Sequence, residues 1–546
     1  MTRFLPLVVF VIWISSPQMA GTTSIAPIWG MGLFLGVYLL LILTLGYWGR
    51  RLARRSHLGS LPQRLRRFNA SVHIARLFVP VWFGIGVFAL GWKMFVEGKL
   101  ANTPIGGLHL DSPGLLLGCL PAFVTWMGLW WAQYPADHAL REHNLLIQLN
   151  HSLPIHPPPS FWAYVGVNLR LQLLFSIAPA VVLILLRDAL SLALPPMLNQ
   201  IPWLHQRQTL VEGLISLPAF VLILVLGPEI LRRVLHTETM PDCPLRRRLE
   251  DTCRQNKIGF RNVLTWRTRH QIGNAAVMGF IPRVRYILLS DLLLETMSDE
   301  QIEAVFAHEM GHVKHRHLWW LLLAMGALLL VFAGPGQLAA DGLEGLNKRI
   351  WFPQWLELSL LMAGALGIFA LLFGFISRRF ERQADVFAAR TMQCLAALPI
   401  PSPGTPGEGW GEGSFERRSN VRPSPSPSPG VPAEEMIQDS HGSGATIEIM
   451  DDPGPSLHSH PRSHVGQRGA DIVCAALERV ANVNNIPVAA RSWCHGSIAK
   501  RMRFLQALSE NPARTGDFDR SMSRLYMALV LGLCVFAGWT MLATTQ

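Results

Sequence analysis

The sequence predicts a mainly α-helical protein that crosses a membrane several times and carries a small α+β domain. Three observations support this fold class. Half of the 546 residues are hydrophobic and only 15% are charged, and a soluble protein with that balance could not cover its surface with polar groups. Apolar runs recur at about 20 residues, the length that a helix needs to cross the hydrocarbon core. One polar stretch between these runs contains several short β-rich segments.

The apolar runs predict about eight membrane spans. Scattered core helices of a soluble bundle are the alternative, which runs of this length disfavour. The N-terminal run, FLPLVVFVIWIS, is shorter and could belong either to a signal peptide or to an anchor. No clear small-residue cleavage site follows it, so we expect it to be retained. The predicted spans are residues 29–48, 78–97, 114–133, 164–187, 212–231, 318–335, 355–376 and 525–543.

Basic residues beside the apolar runs predict the orientation. Segment 49–76 holds eight arginines and no acidic residue, so the positive-inside rule places it in the cytoplasm. Alternation then places 232–317 and 377–524 on the same side. Each segment has an arginine pair at or near its start, Arg232-Arg233 and Arg378-Arg379. We therefore expect an integral protein of a cell (inner) membrane in contact with the bilayer. The net charge of +12 is explained by this asymmetry, and no nucleic-acid partner is predicted.

The chain divides by composition into membrane and cytoplasmic parts. Stretches such as RPSPSPSPG cannot bury a core and predict a disordered insertion. The seven cysteines are odd in number and form no CxxC pair, which disfavours both a disulfide framework and a cysteine metal cluster. The predicted parts are an N-terminal membrane region of about five spans (1–231), a cytoplasmic segment (232–317), a transmembrane hairpin (318–376), a helix (377–398), the insertion (399–468), a continuation of the cytoplasmic domain (469–524) and a C-terminal span (525–543).

Local patterns predict the elements of the cytoplasmic part. A polar helix is expected over 244–256, followed by strands at 262–266, 274–279 and 285–290. A short apolar helix over 290–297 comes next. Ser298 and Gln301 then form a capping box, so a further helix should start near residue 299.

That helix carries the sequence His308-Glu309-Met310-Gly311-His312. The two histidines are four residues apart and project from one face, where both imidazoles can reach one Zn²⁺. Glu309 lies beside them and can take a proton from a water molecule that the metal activates. Gly311 leaves room for another element to approach. The alternative is a polar helix at the membrane surface that carries histidines by chance.

A third ligand is expected from another helix. His315 is too far from His308 along the helix axis to share an ion, and we expect His315 and His317 to lie at the membrane surface. Glu381 and Asp385 are four residues apart in SRRFERQADVFAAR. Glu381 can complete a His₂Glu site, and Asp385 can accept the second N–H of a ligand histidine. An ordinary solvated helix face is the alternative, but the predicted hairpin returns this helix to the side that holds His308.

The motifs together resemble the integral-membrane zinc metallopeptidases that include the CAAX prenyl endoprotease and the heat-shock protease HtpX. The resemblance rests on NAAVMG, LSD…SDEQIEAVFAHEMGHVKHRH, SRRFERQADVFA and HGSIAKRMRFL, over roughly residues 240–395 and 469–510. It implies a gluzincin-type α+β peptidase domain with one Zn²⁺ per chain held by His308, His312 and Glu381, and Glu309 as the general base.

The resemblance also implies residues that touch the substrate. Asn274 and Ala275 would lie on an edge strand that pairs with the substrate backbone. His495 and Arg501 match a later segment by spacing and would stabilise the tetrahedral oxyanion. This chain has Gly496 where the family usually has proline, and a basic surface loop is the alternative interpretation of the segment.

The sequence therefore predicts a zinc-dependent endopeptidase that cuts membrane-associated or misfolded proteins at the cytoplasmic membrane face. One alternative is a regulatory protease, or signal transducer, that cleaves one specific partner. A second is a CAAX-type processing protease of lipidated substrates. A non-enzymatic scaffold with a relic site is a third, which the intact motif residues disfavour.

Overall fold

The computed structural model of the chain confirms the mainly helical fold with a small sheet. It describes residues 5–16, 27–54, 61–97, 111–150, 157–198, 221–222, 225–333, 335–350, 354–396, 464–484, 486–490 and 492–544.

The N-terminal part is a helical bundle around a core rich in aromatic side chains. Phe34, Phe68, Phe83 and Trp130 are fully buried there. The N-terminal apolar segment forms the first helix and packs into this core, and a π-helical turn joins α6 to α7. The helices described in this part are α1 (Leu5–Ser15), α2 (Pro27–Arg54), α3 (Leu61–Phe88), α4 (Trp92–Val96), α5 (Asp111–Asn150), α6 (Phe161–Asn168) and α7 (Phe175–Leu198).

A mixed four-stranded sheet follows, with strand order β1-β2-β4-β3. Strands β2 and β4 are parallel, and the other two pairs are antiparallel. Three strands lie where the sequence predicts them; β1 is three polar residues long and was not predicted. The strands are β1 (Thr237–Thr239), β2 (Asn262–Trp266), β3 (Ala275–Met278) and β4 (Tyr286–Ser290).

The remaining helices either pack against one face of this sheet or form the long apolar helices of the C-terminal half. Helix α10 contacts α13, α14 and β3, and α11 contacts α16. Helices α8, α9 and α10 confirm the helices predicted for the cytoplasmic part. They are α8 (Pro244–Gln255), α9 (Asp291–Thr296), α10 (Asp299–Lys314), α11 (His317–Ala333), α12 (Pro335–Arg349), α13 (Gln354–Ala396), α14 (Gln467–Val483), α15 (Ile498–Glu510) and α16 (Ala513–Thr544).

The two faces of the sheet pack on different cores. Along β4, Ile287 and Leu289 face the helices of the metal site, whereas Tyr286 and Leu288 face a small cluster with the π-helical turn. This alternation follows from the two-residue period of a strand. The sheet therefore joins the N-terminal helices to the part of the molecule that carries the motif.

Six helices within the described ranges are long and apolar enough to cross a membrane. A shorter apolar helix, His317–Leu328, lies at the predicted span 318–335, and most of the predicted span 212–231 is outside the described residues. The six are Ile28–Arg54, Arg64–Phe88, Gly114–Glu142, Phe161–Leu186, Ala363–Ala396 and Ala513–Thr540.

The prediction of a span at 78–97 was wrong in its limits. The helix there, α3, begins at Leu61 and ends at Phe88, and Gly91 then adopts a left-handed conformation with φ 72°. The start was missed because arginines interrupt the apolar run, although the buried positions keep the three-to-four-residue spacing of a helix face. Those buried residues are Leu65, Phe68, Val72, Ala75, Val79 and Phe83.

Two further boundaries differ from the prediction. The stretch between the predicted spans 318–335 and 355–376 is largely the helix α12. The segments predicted separately as 318–376 and 377–398 share one uninterrupted helix, α13, of 43 residues. Of the insertion predicted at 399–468, only 464–468 are described. The flanks of this segment meet, because Arg468 Nη1 donates to Ala396 O at 3.3 Å and Gly469 N donates to Gln393 Oε1 at 2.9 Å.

Candidate metal centre

The helix that carries the motif begins where the sequence predicts. The Ser298 side chain accepts a hydrogen bond from Gln301 N, and Gln301 Oε1 accepts one from Ser298 N. Both halves of the capping box are therefore present, and they fix the first turn of α10. The local sequence thus fixes where this helix starts, and this start does not depend on a bound ligand.

Gly311 allows α10 and α13 to touch. A Cβ atom at this position would lie 2.8 Å from Ala384 Cα and 3.1 Å from Ala384 O. Real Cβ atoms do not approach a backbone so closely, so any larger residue would force the helices apart. The close contact brings Glu381 and Asp385, which flank Ala384 on α13, to the face that holds the two histidines.

Three side chains converge at this contact. His308 Nε2 lies 3.3 Å from His312 Nε2 and 3.5 Å from Glu381 Oε2, and His312 Nε2 lies 3.7 Å from Glu381 Oε1. Their ligand atoms all fall within 4.8 Å of one another. His315 is not part of this group; its ring packs against Phe387.

A buried ion pair lies behind His308. Asp385 Oδ1 is 3.0 Å from His308 Nδ1, the contact that the sequence predicts for this carboxylate. Arg501 donates to both Asp385 oxygens, at 2.8 and 2.6 Å, and its Nη1 lies 3.2 Å from Glu381 Oε2. Although burial lowers the pKa of Arg501, the carboxylates of Asp385 and Glu381 raise it above its usual value. Arg501 is thus held by both carboxylates of α13.

His312 is supported by residues of the apolar helices. His317 Nδ1 lies 2.8 Å from His312 Nδ1, and His317 is only 2% exposed. The expectation that His317 lies at the membrane surface was therefore wrong. The chain leaves α10 at His315, Arg316 adopts a left-handed conformation with φ 55°, and α11 starts at His317. This turn directs His317 back toward the site.

Glu309 lines the same cavity as the ligand group. Burial raises the pKa of Glu309 to about 7. Burial also lowers the pKa of His312 to about 4, so that its ring is neutral at pH 7. The site thus presents a carboxyl group that can exchange protons near neutral pH beside a neutral imidazole.

His495 sits on a tight loop between α14 and α15. Its side chain is 65% exposed, and its Nδ1 lies 2.7 Å from Glu381 Oε1. Ser492 and Gly496 exchange two backbone hydrogen bonds, and Gly496 has φ 74°. Proline cannot adopt this φ, which explains why the loop accommodates glycine here. Trp493 Nε1 donates to Ala370 O at 2.9 Å and so attaches the loop to α13.

The edge of the sheet faces the ligand group across a groove of about 1650 Å³. Strand β3 pairs only with β4 among the described strands, and it begins at Ala275, which is buried. Asn274 precedes it and is exposed; its N donates to Ser290 Oγ at 2.9 Å. Both residues line the groove, together with His308, Glu309 and His495.

The arrangement fits a zinc ion. Ligands of a tetrahedral Zn²⁺ at ~2.0–2.1 Å lie about 3.3 Å apart, close to the separations among His308, His312 and Glu381. Glu381 Oε2 is buried and forms no hydrogen bond of regular geometry within the described residues, although Arg501 Nη1 lies 3.2 Å away. A buried carboxylate oxygen that is only partly satisfied can accept a further cation. A donor set of two imidazoles and one carboxylate is one that zinc commonly takes in peptidases.

Sequence reasoning missed His317, Gln383 and Tyr526. His317 Nε2 lies 2.9 Å from Gln383 Oε1, which also accepts from Tyr526 Oη at 2.5 Å. His317 was predicted to lie at the membrane surface. Gln383 lies two residues after Glu381 on the same helix, and a glutamine at that spacing does not by itself indicate a contact with a metal ligand.

Comparison with known proteins is consistent with this site. The profile of peptidase family M48 matches residues 241–399. A CAAX prenyl protease 1 homolog of Arabidopsis thaliana is 29% identical over 159 residues, 28% of this chain and 37% of that protein. A protease HtpX homolog of Desulfotalea psychrophila is 28% identical over 135 residues, 23% of this chain and 47% of that protein. The crystal structure of S. mikatae Ste24p superposes with a TM-score of 0.33 at 14% identity, covering 72% of this chain and 90% of that one.

The matched region includes the ligand group and β3 but ends before His495 and Arg501. This chain spans 37% of the length of the Arabidopsis relative that it matches. Within these limits, the predicted resemblance is confirmed: residues 241–399 match the profile of peptidase family M48, and the chain is similar in sequence to proteins named CAAX prenyl protease 1 and protease HtpX.

Proposed function

We propose that the protein is a membrane-embedded, zinc-dependent endopeptidase that hydrolyses membrane-associated or misfolded proteins at the cytoplasmic face. The observation that carries the proposal is the group His308, His312 and Glu381 beside Glu309, at the floor of a groove bordered by an open strand edge. The cytoplasmic side is supported by the arginines at the end of α2 and by Arg378 and Arg379 beside the site.

The ligand residues would hold one Zn²⁺ per chain. When bound, the ion would polarise the scissile carbonyl and make a water molecule more acidic. Glu309 would accept the proton of the attacking water and pass it to the leaving amine. Glu309 lines the same cavity as the ligand group, so it lies where it can take and return this proton. His495 and Arg501 would stabilise the negative charge that develops on the carbonyl oxygen.

Substrate binding would use the backbone of β3. An extended peptide can add to a free strand edge through main-chain hydrogen bonds, which fix its position with little demand on side chains. Asn274 and Ala275 border the groove at the start of this edge. The bound segment would then lie across the face of α10 that carries Glu309.

A second candidate is the processing of lipidated substrates. Apolar side chains at the rim of the groove, including Phe280, Leu318 and Trp319, favour it, as does the name of the plant relative. A prenylated peptide and its unmodified counterpart distinguish the two. Equal cleavage supports the general endopeptidase, and cleavage of the prenylated form alone supports the second candidate.

The decisive experiment compares the purified full-length protein with Glu309→Gln. We expect the wild type to contain one zinc and to cleave an internally quenched, unstructured peptide. Glu309→Gln should keep its zinc, because Glu309 is outside the ligand group, and lose about 10²–10⁴-fold in rate. Zinc is measured by elemental analysis of detergent-purified protein. A wild type without zinc, or a variant as active as the wild type, refutes the proposal.

A further inference from the structure

We propose that His317 is a positioning residue, which acts with Gln383 and Tyr526 to fix the tautomer and orientation of His312 and so raises the affinity of the site for its metal. The inference rests on the proposed zinc site and extends it to three residues of the apolar helices.

The contacts form one continuous chain. Tyr526 Oη lies 2.5 Å from Gln383 Oε1, Gln383 Oε1 lies 2.9 Å from His317 Nε2, and His317 Nδ1 lies 2.8 Å from His312 Nδ1. The chain crosses from α16 through α13 and α11 to α10. It therefore links one metal ligand to three helices outside the motif.

The positions of the hydrogens follow from what each group can do. A glutamine carbonyl oxygen only accepts hydrogen bonds, so both Tyr526 Oη and His317 Nε2 must donate to it. A neutral imidazole has one donor and one acceptor, and His317 Nδ1 is therefore the acceptor. The hydrogen between the two rings must then belong to His312 Nδ1.

This assignment leaves the lone pair of His312 on Nε2. Nε2 is the atom that faces His308 Nε2 at 3.3 Å and Glu381 Oε1 at 3.7 Å. A histidine in the other tautomer would present an N–H to the metal and would have to exchange its proton before binding. The chain of hydrogen bonds thus selects the form of His312 that can act as a ligand.

Packing holds His317 in the required orientation. Its ring stacks on Phe380, with ring centroids 4.3 Å apart and planes 3° apart. Gln383 is 6% exposed and His317 is 2% exposed, so water does not compete readily for these hydrogen bonds. Stacking and burial leave His317 little freedom to turn away from His312.

The test measures zinc affinity rather than activity alone. Wild type, His317→Phe, Gln383→Leu and Tyr526→Phe are purified in detergent and stripped of metal, and the zinc Kd is measured by competition with a chelating dye. His317→Phe keeps a stacked ring but no nitrogen, and we expect about 10–100-fold weaker binding, as for other residues that orient a metal ligand. Gln383→Leu should weaken binding less, and Tyr526→Phe least, because each acts further from His312.

His315→Phe is the matched control. His315 neighbours His317 in sequence and stacks near its ring, but it is outside the ligand group; its Kd should stay within about threefold of wild type, below the range of an orienting residue. The visible spectrum of the Co²⁺-loaded protein should change in His317→Phe and not in His315→Phe. A merely structural role would lower the unfolding temperature of the metal-free protein but leave both readouts unchanged.

The outcomes separate the inference from the proposed function. If the wild type binds zinc while His317→Phe and Gln383→Leu both bind as tightly, the inference is overturned and the zinc site stands. If His317→Phe does not fold, Gln383→Leu decides alone, since it leaves the histidine in place. If the wild type binds no zinc, both the proposed function and this inference fail.

Discussion

The two histidines of the motif are held in orientation by different sets of side chains, which we call their supports. Behind His308 lie the charged groups of Asp385 and Arg501, held in a paired geometry. In the part of the chain that the structure describes, the groups behind His312 are uncharged: the side chains of His317, Gln383 and Tyr526. Both supports meet the same cluster and come within hydrogen-bond distance of equivalent Nδ1 atoms.

The difference follows the surroundings of each support. Arg501 belongs to α15, a polar helix of the peptidase part. His317 begins α11, a strongly apolar helix, and Tyr526 lies on α16 at the start of its apolar half. An ion pair can be kept where further polar groups complete its hydrogen bonds, but an unpaired charge among apolar helices is costly. Charge is therefore used on one side of the site and neutral hydrogen bonds on the other.

The largest effect should come from breaking the charged support. Asp385→Asn removes the main partner of the Arg501 guanidinium and leaves it buried beside Glu381 alone. Loss of one partner of a buried pair costs about 3–5 kcal/mol, so we expect a lower unfolding midpoint and reduced zinc content. Asp517→Asn is the control, because its pair with Arg520 is 66–69% exposed and should contribute less than about 1 kcal/mol. Equal losses in the two variants would show that the Asp385 pair has no special role.

A smaller effect is expected from moving α10 and α13 apart, because α10 carries both histidines and α13 contributes to both supports. Gly311→Ala places a Cβ 2.8 Å from Ala384 Cα, and overpacking of this kind costs about 1–3 kcal/mol. Zinc binding should weaken because α13 carries Glu381. Gly326→Ala on α11 meets nothing within 4 Å and should cause no loss. Denaturant unfolding and zinc titration measure both variants, and a neutral Gly311→Ala would mean that the helices can separate freely.

Removal of residues 401–463 should leave both supports intact, because it keeps Val465, which is fully buried in the core, and Gly466, which caps α14. The residues flanking this stretch hydrogen-bond to each other through Gln393, Ala396, Arg468 and Gly469, so a short linker can replace it. We expect unchanged zinc content and a change in unfolding midpoint below about 0.5 kcal/mol, as for sites away from packed features. Loss of zinc or aggregation in detergent would show that the segment is structural.

The smallest effect is expected from His315→Ala. His315 lies between the motif and His317 in sequence and is outside the ligand group. Its ring centroid lies 5.8 Å from that of His317 and 6.0 Å from that of Phe387. Elemental analysis should find one zinc retained per chain. Stoichiometric loss of the metal would overturn the choice of Glu381 as the third ligand.

Features set by neighbouring residues could be predicted from the sequence. The start of α10 follows from Ser298 and Gln301, and the strands β2 and β4 follow from compact apolar runs. The pairing of α10 with α13 was expected because the predicted hairpin returns the helix with Glu381 and Asp385 to the side that holds His308. The first two features depend on interactions within a few residues of chain, and the third depends on the length and order of the apolar runs.

The prediction for His317 failed for a physical reason. In an uninterrupted helix, a residue five positions after His312 would point about 140° away from it. Arg316 adopts the left-handed conformation instead, which costs an ordinary residue roughly 1–2 kcal/mol. No glycine or asparagine marks the turn in the sequence. The packing of α11 on α16 and α13 must stabilise it, and such tertiary contacts are not visible in local patterns.

The recessed edge of β3 also bears on how copies of this protein avoid one another. A free strand edge is a template for pairing with any other exposed strand, and long flat edges promote aggregation. Strand β3 is only four residues long, and its residues line a groove rather than a flat surface. A groove of this kind can admit a single extended chain more readily than a second folded sheet, because one strand is much narrower than a sheet with its packed side chains. The shape that admits a peptide therefore also protects the sheet from edge-to-edge association.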